Sequence, residues 1–466
     1  MEFDTGLAAP PETRTGKVVA LIRGRIERRA LLPGARLPSV RGMAETTGFS
    51  KSTVVEAYDR LAAEGVIRAR PGSGFFVAAP LAPLDLVEAE PARQRDIDPV
   101  WMLRQSIEDL PGHIRAGTGV LPNDWLAADA MRKAMRAAAR GTNLPAAGNS
   151  LIGHAPMRAL LSRRMADQGV ECSPDQILLT ESGTHSLDLV CRFLLQPGDC
   201  VLVDDPCFFN FLALLRAHRA RVVAVPMTPT GPDLVAFAQV VARERPRLYI
   251  TNSAVHNPTG ATLSAAHAHR VLKLAEAHDM LIVEDDIFSD FEHTLAPRYA
   301  AFDGLDRVIR IGSFSKTATN AVRCGHIALR RDWIEPLADL RIVTTYVGNP
   351  LGAELLTTIL TDGSYRHHMD LVRGRLARVM ARVVRRITAL GIEPWTIPEC
   401  GMSLWVRLPG GRDAVDLART AFDEQIILAP GAVFSPTGGW RDYLRLNITQ
   451  VEDERFYAFM ARALGS

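Results

Sequence analysis

Lys316 lies in the segment IGSFSKTATNAVRCGH, residues 311–326, where small hydroxylated side chains precede it and an arginine follows seven positions later. A lysine in such a segment is either a solvated surface residue or a nucleophile for an aldehyde. It becomes nucleophilic when desolvation or a neighbouring cation lowers its pKa. The Ser313 hydroxyl and the Arg323 guanidinium would suit a phosphate dianion. The segment therefore predicts a Schiff-base lysine beside a phosphate-binding group.

Two further candidate segments follow apolar runs earlier in the chain. Gly183 and Thr184 come after QILLT and precede a helical pattern, so their backbone N–H groups would lie at a helix N-terminus, where phosphate binds readily. Phe208 follows CVLVDDP and is either a core aromatic or an aromatic wall of a site.

Polar side chains also end the next two apolar runs. Asn257 lies in YITNSAVHNPTG, where turn formation alone would explain an asparagine before Pro-Thr-Gly. LIVEDDIF ends in Glu284, Asp285 and Asp286, and burying these acids is costly unless a cation pairs with them. Together with Lys316, this set predicts a site for pyridoxal 5′-phosphate.

The elements that position these residues are short apolar runs alternating with helical patterns, from QILLT to RVIRIGS. This alternation predicts an α/β unit with a mostly parallel central sheet and flanking helices. In such a sheet the chemistry gathers in the loops at the carboxyl ends of the strands. All the candidate segments fall in those loops.

The order SGT, aromatic, NPTG, EDD, SxSK and Arg resembles the fold-type I aminotransferases. The resemblance implies that Lys316 forms the Schiff base, Asp285 pairs with the pyridine nitrogen, and Asn257 binds the ring O3′. It also implies that Phe208 stacks on the ring and that Arg445, in DYLRLNIT, binds an amino-acid carboxylate. The residues it assigns to the phosphate are Gly183, Thr184, Ser313 and Arg323.

Two departures from this family pattern favour sensing over turnover. The tyrosine that usually follows the pyridine-pairing aspartate is absent, since Ile287 and Phe288 occupy those positions. Its loss should slow proton transfer at the cofactor. A tyrosine is also missing around Gly148, where the sequence is GNSLIG.

The first eighty residues have a different pattern. KVVALIRGRIERRALLPG predicts an amphipathic helix with Val18 and Ile22 on its apolar face. A second helix is predicted after Ser39 and ends at Gly48, and a third begins after Ser50. VIRARPGSGFFV then predicts a hairpin, so the whole segment indicates a winged helix-turn-helix.

This N-terminal segment resembles the GntR-type DNA-binding domain, and the two parts together resemble the MocR subfamily of regulators. The resemblance implies that a homodimer, plausibly domain-swapped, binds operator DNA. The first turn of the third helix would enter the major groove, while the arginines contact phosphates. The predicted DNA-binding residues are Arg41, Lys51, Ser52, Thr53, Arg68, Arg70 and Gly74.

We predict a DNA-binding domain at 1–78, a proline-containing linker at 79–100 and an aminotransferase-like domain at 101–466. Within the last, the large subdomain spans about 150–340 and a smaller α+β subdomain about 341–466. Residues 1–77 hold twelve Lys/Arg and eight Asp/Glu, so the head carries +4 in a chain of net charge +2. This asymmetry is consistent with a polyanionic partner.

The bulk composition excludes several protein classes. Hydrophobic residues make up 47%, and no run approaches the roughly 18 apolar residues of a membrane span, so we expect a cytoplasmic protein. The cysteines show no CxxC spacing and no metal-ligand register with histidines, which predicts reduced thiols and no metal site.

Three functions remain at this point. The first is a regulator that senses a small amine, an amino acid or pyridoxal phosphate itself. The second is an active aminotransferase with a DNA-binding head, and the third is a dimerisation scaffold with an inert lysine.

Overall fold

The computed structural model describes residues 13–27, 31, 34–70, 73–78, 97–108, 110–140, 150–319, 321–346 and 348–465. The chain forms two compact units, Met1–Arg95 and Asp96–Ser466. Most of the predicted linker, residues 79–96, lies outside the described residues. The first helix of the second unit begins at Pro99, two residues before the predicted domain start, because Asp98 caps it by accepting from the Trp101 N–H.

The first unit contains the predicted three helices and hairpin. Ser39 and Ser50 cap the second and third helices, and Gly48 ends the second helix in the left-handed conformation at φ 72°. These local signals confirm the helix-turn-helix prediction. The elements are α1 (Arg14–Glu27), α2 (Val40–Thr47), α3 (Lys51–Ala63), β1 (Ile67–Arg70) and β2 (Gly74–Val77).

A small apolar core holds this unit together. Val18 and Ile22 of α1 are fully buried against α3, where Val54 and Leu61 are also fully buried. The Tyr58 hydroxyl donates to the Pro38 carbonyl at 2.8 Å, which fixes the entry to α2. The surface of α3 opposite this core is left exposed.

The first part of the second unit is built on an eight-stranded sheet. Its elements are α4 (Pro99–Ile107), α5 (Ala128–Arg140), α6 (Ala155–Ala166), β3 (Ile177–Thr180), α7 (Gly183–Leu194), β4 (Cys200–Asp205), α8 (Phe209–Ala217), β5 (Arg221–Thr228), β6 (Gly231–Pro232), α9 (Leu234–Glu244), β7 (Leu248–Thr251), α10 (Ala265–Ala277), β8 (Leu281–Asp285), α11 (Tyr299–Asp303), β9 (Val308–Ser313) and β10 (Gly325–Ala328).

The strand order is β3-β10-β9-β8-β7-β4-β5-β6. The pairs among β5, β4, β7, β8 and β9 are parallel, as the alternation of strands and helices predicted. Strand β10 runs antiparallel to both β9 and β3 because a loop, rather than a crossover helix, connects it to β9. Lys316 lies in that loop.

The remaining elements include the four strands of a smaller subdomain, whose antiparallel sheet has the order β11-β12-β14-β13, whereas the first two of the remaining helices pack against the first part. They are α12 (Ile334–Thr345), α13 (Pro350–Thr361), α14 (Ser364–Thr388), β11 (Glu393–Pro394), β12 (Ser403–Arg407), α15 (Ala414–Asp423), β13 (Ala429–Pro430), β14 (Tyr443–Asn447) and α16 (Glu454–Leu464). Within the described ranges, no helix has the length and apolar character needed to cross a membrane.

Candidate functional site

A cavity of about 850 Å³ opens at the carboxyl ends of the parallel strands in the second unit. It is large enough for a cofactor and a small ligand together. Every residue that the sequence predicted for cofactor or carboxylate binding lines it. These residues are Gly183, Thr184, Phe208, Asn257, Asp285, Ser313, Lys316, Arg323 and Arg445.

Lys316 lies in the cavity wall just after β9. Its Nζ donates to the Gly119 carbonyl at 2.7 Å, which holds the amine in place. Burial of the amine, assisted by the Arg445 charge and opposed by Asp285, lowers the pKa of Lys316 to about 8. The neutral, nucleophilic form of this amine is therefore far more abundant near neutral pH than that of a lysine with an ordinary pKa.

The three acids at the end of β8 differ in their partners. Glu284 is fully buried and accepts from the backbone N–H groups of Tyr299 and Ala300 at 2.8 and 3.0 Å. Asp286 forms ion pairs with Arg298 and Arg310. Burial alone would raise the pKa of Asp286, but the two arginines outweigh it and hold that pKa below its ordinary value.

Asp285 makes no ion pair with any described residue. Its Oδ1 accepts a 3.3 Å hydrogen bond from the Ile287 N–H, and burial raises its pKa to about 7 although hydrogen bonds from Ile287 and Asn252 act in the opposite direction. This carboxylate faces the cavity that contains Lys316. A buried carboxylate without a counter-charge can accept a cationic partner from a ligand.

One end of the cavity can accommodate a phosphate. Ser182 caps α7 by accepting from the His185 N–H at 3.1 Å, so the N-terminal N–H groups of α7 face this end. Gly183 approaches the opposite wall closely, since an added Cβ would lie 3.3 Å from Ile287 Cγ2. Ser313 and the exposed Arg323 complete this end of the cavity.

The aromatic and aliphatic side chains of the cavity wall include Phe208, as the sequence predicted, and Ile287 at one of the two positions where the family pattern has a tyrosine. Phe208 is half-buried at the start of α8, with its ring centroid 4.8 Å from that of Phe209. Ile287 lines the cavity where a tyrosine was expected. The predicted departure at Gly148 falls outside the described residues.

Arg445 of β14 is almost fully buried, with 1% of its surface exposed. Nη1 donates to Asn257 Oδ1 at 3.0 Å and Nη2 donates to the Gly117 carbonyl at 2.6 Å. The guanidinium lies against the rings of Phe209 and Phe434, and burial lowers its pKa to about 9. No described acid pairs with it. A buried cation without a counter-charge favours an anionic ligand.

Sequence reasoning missed several residues of this cavity. Asn210 donates from Nδ2 to Thr184 Oγ1 at 3.2 Å, and the Gly119 carbonyl binds Lys316. No sequence signal marks either one, because their positions depend on the packing of distant segments. Leu103, Ser106 and Ile107 of α4 also line the cavity, although the sequence indicated no role for that helix.

The predicted DNA-binding residues lie on the surface of the first unit. Lys51, Ser52 and Arg68 are exposed, whereas Thr53 is half-buried, with Oγ1 2.8 Å from the Ser50 Oγ. Gly74 begins β2 at φ 99°.

Two of the predicted arginines have partners within the first unit. Arg41 pairs with Glu45 at 3.1 Å, and Arg70 lies over the Phe76 ring. In contrast, Lys51 and Arg68 are exposed and have no described ion pair within the first unit, so their charges are available to a DNA phosphate.

Two protein families match this chain. Residues 114–461 match the family "Aminotransferase class I and II", and residues 14–77 match "Bacterial regulatory proteins, gntR family".

Among curated proteins, the uncharacterized HTH-type transcriptional regulator YjiR of Escherichia coli K12 is 28% identical, with 93% of this chain and 94% of that protein covered. The probable rhizopine catabolism regulatory protein MocR of Rhizobium meliloti is 27% identical, with 88% and 84% covered. Among solved structures, the α-aminoadipate aminotransferase LysN of Thermus thermophilus, complexed with N-(5′-phosphopyridoxyl)-L-leucine, has a TM-score of 0.70 and 25% identity, with 78% of this chain and 94% of that chain covered.

Proposed function

The chain belongs to the class I and II aminotransferase family and is a gntR-type DNA-binding regulator, and we propose that its aminotransferase-like unit senses a small amino acid. One observation carries this proposal. Arg445 is buried, with no counter-ion among the described residues, in the same cavity as Lys316, whose pKa is lowered. A ligand with both an amine and a carboxylate could pair its carboxylate with Arg445 while its amine competes with Lys316 for an aldehyde.

The cofactor implied by the family and by the phosphopyridoxyl group of the structural neighbour is pyridoxal 5′-phosphate. The cavity fits it. Asp285 is a buried carboxylate that forms no ion pair within the described part of the chain, as a protonated ring nitrogen requires. The α7 N-terminus, Ser313 and Arg323 offer donors for a phosphate, and Gly183 leaves room where a side chain would intrude.

When bound, pyridoxal phosphate supplies an aldehyde that reacts with primary amines and a ring that withdraws electrons. Lys316 would present the amine, held by the Gly119 carbonyl. Asp285 would keep the ring nitrogen protonated, and Asn257 would bind the ring hydroxyl. Phe208 would form the ring wall, as the sequence predicted.

The effector would bind between Lys316 and Arg445. Its carboxylate would neutralise the guanidinium while its amine competes with Lys316 for the cofactor. Such a ligand acts as a signal only if it favours one of two protein conformations that differ in DNA affinity. Free pyridoxal phosphate remains an alternative signal, since cofactor binding would also neutralise Asp285.

We also propose that the protein is a homodimer. Four large apolar side chains are exposed around the end of α12 and the start of α13. They are Leu151 at 61%, Val343 at 84%, Tyr346 at 76% and Leu351 at 43%. Arg341 of α12 donates to the Leu151 carbonyl at 2.7 Å, which places Leu151 beside α12. A cluster of this kind favours a protein interface. Exchange of the DNA-binding heads between subunits and the cytoplasmic location stay predictions.

Replacing Arg445 with methionine is expected to weaken amino-acid binding about 30-fold or more, because a buried charge-assisted pair is lost. Binding of an amine without a carboxylate should change little. The measurement is calorimetric titration of the cofactor-loaded protein with norleucine and with pentylamine, together with DNA affinity in each state.

Arg407→Met on the neighbouring strand is the matched control, since Arg407 is exposed and pairs only with Asp442. Equal losses for norleucine and pentylamine in Arg445→Met would contradict the carboxylate role.

Replacing Lys51 and Arg68 together with alanine is expected to weaken DNA binding and to reduce the slope of log affinity against log salt by about 2 for each DNA-binding head, or about 4 for the proposed homodimer. Both side chains are exposed and neither has a described ion pair. Fluorescence anisotropy with duplex DNA from the region upstream of the gene measures this at several salt concentrations. Lys273→Ala, an exposed lysine of α10, should leave the slope unchanged.

An active aminotransferase is the second candidate function. Lys316, Asp285, Asn257 and Arg445 lie in one cavity, which favours it, whereas Ile287 in place of a tyrosine favours sensing. Formation of a new amino acid from an added keto acid over many turnovers would support the enzyme. A response in DNA affinity without such turnover would support the regulator.

A further inference from the structure

The charged groups that line the cavity are few. In the described part of the chain, its cationic side chains are Lys316, Arg323 and Arg445, and its carboxylates are Asp188 and Asp285. His185 also lines it, but burial lowers the pKa of that imidazole and favours its neutral form.

Each of these charges has a partner, present or proposed. Asp188 accepts from Arg192 Nε and His218 Nε2, both at 2.8 Å. In the proposed function, Asp285 and Arg323 hold the cofactor, the effector's amine competes with Lys316 for that cofactor, and Arg445 binds the effector's carboxylate. No cation and no acid of the described wall is then left for a second charge on the effector.

Much of the remaining cavity wall is apolar. Helix α4 contributes Leu103 and Ile107, and Met402 and Val120 lie on other segments. The hydroxyl of Ser106 already donates to the Met102 carbonyl at 2.9 Å. Helix α4 is anchored by the fully buried Met102, which packs in one cluster with Phe209 and Trp405.

We propose that the effector is an amino acid with one carboxylate and an otherwise uncharged, mainly apolar structure, and that α4 selects it. This inference rests on the proposed function and names its ligand class. A second carboxylate or ammonium would find no described counter-charge in the cavity wall, so any hydration that it loses there is not replaced by an ion pair. An apolar side chain gains free energy from the same burial.

Calorimetric titration of the cofactor-loaded full chain with four amino acids of similar length tests the selectivity. L-norleucine, L-glutamine, L-glutamate and L-lysine differ in charge and polarity at the side-chain end. We expect norleucine to bind most tightly, with glutamine weaker and glutamate and lysine weaker than glutamine by about tenfold or more. This readout is binding, so it does not depend on any turnover.

The variant Ser106→Arg adds a cation to the α4 wall. It is expected to raise the affinity for glutamate relative to norleucine by about tenfold or more. The matched control is Val100→Arg, which adds the same charge to an exposed position of α4 that does not line the cavity. This control should keep the ligand order of the unchanged protein.

The outcomes separate the two proposals. If glutamate or lysine binds the unchanged protein as tightly as norleucine, and Arg445→Met still abolishes that binding, the effector class is overturned while the sensing function stands. If none of the amino acids binds, the sensing function fails and the effector class fails with it. Should Ser106→Arg not fold, the ligand order of the unchanged protein decides alone.

Discussion

Replacing Lys316 with alanine is expected to abolish covalent attachment of pyridoxal phosphate and, with it, the visible absorbance band of the loaded protein. The chain has five lysines, and Lys316 is the one that lines the cavity of Asp285 and Arg445. The response of DNA affinity to amino acids should also disappear, because the amine that the effector displaces is gone. Absorbance spectra of the purified protein with added cofactor measure the first effect directly.

Borohydride reduction followed by peptide mass mapping shows which lysine carries the cofactor. Lys273→Ala, on the exposed surface of α10, should retain the band and the label on the peptide containing Lys316. A label on another lysine, or an unchanged band in Lys316→Ala, would contradict the assignment.

The pH dependence of attachment follows from the pKa of Lys316. Burial lowers that pKa from 10.5 to about 8 in the cofactor-free protein, so the neutral amine becomes abundant between about pH 7 and 9. The attachment rate should rise over this range and then level off. A rate that still rises steeply near pH 10 would indicate a lysine with an ordinary pKa.

Replacing Asp285 with asparagine is expected to have opposite effects on the empty and the loaded protein. The folded pKa of Asp285, about 7, lies above its ordinary value of 3.8, so the folded state binds more protons than the unfolded state between these values. The stability of the empty protein therefore falls as pH rises through this window, and the full cost is present above about pH 7. That cost is at most about 4 kcal/mol.

Asparagine removes this cost because it stays neutral and can still accept from the Ile287 N–H. Without cofactor, Asp285→Asn should thus unfold at a higher temperature than the unchanged protein at pH 8, with little difference near pH 4. With cofactor, the variant should gain less stability, since the ring nitrogen loses its counter-charge. Thermal unfolding with and without pyridoxal phosphate at both pH values measures this.

Asp286→Asn is the matched control for this prediction. Asp286 pairs with both Arg298 and Arg310, so its neutralisation leaves two buried cations without their shared partner. The empty protein should then lose about 3 to 5 kcal/mol of stability. If Asp285→Asn destabilised the empty protein in the same way, Asp285 would already pair with a cation of the protein. It would then be unable to pair with the ring nitrogen of a cofactor.

Much of the first unit follows from local signals in the sequence. Ser39, Ser50 and Gly48 mark helix ends by hydrogen bonds and backbone conformation within four residues, so no distant contact is needed to predict α2 and α3. The strand that precedes Lys316 was likewise predictable from its apolar run. The loop residues Gly183, Asn257 and Lys316 could be placed at one edge of the sheet because the carboxyl ends of parallel strands share that edge.

The sequence by itself thus determined the two kinds of domain, the strand-and-helix order and the chemical types that meet at the site. Only the tertiary structure decided which acid of the three is free for a ligand, because Arg298 and Arg310 reach Asp286 from other segments. It also decided that Arg445 has no acid partner among the residues that the structure describes and that α4 forms a wall of the cavity. Charge pairing and cavity walls depend on residues far apart in the chain, whereas helix caps and strand patterns depend on neighbours.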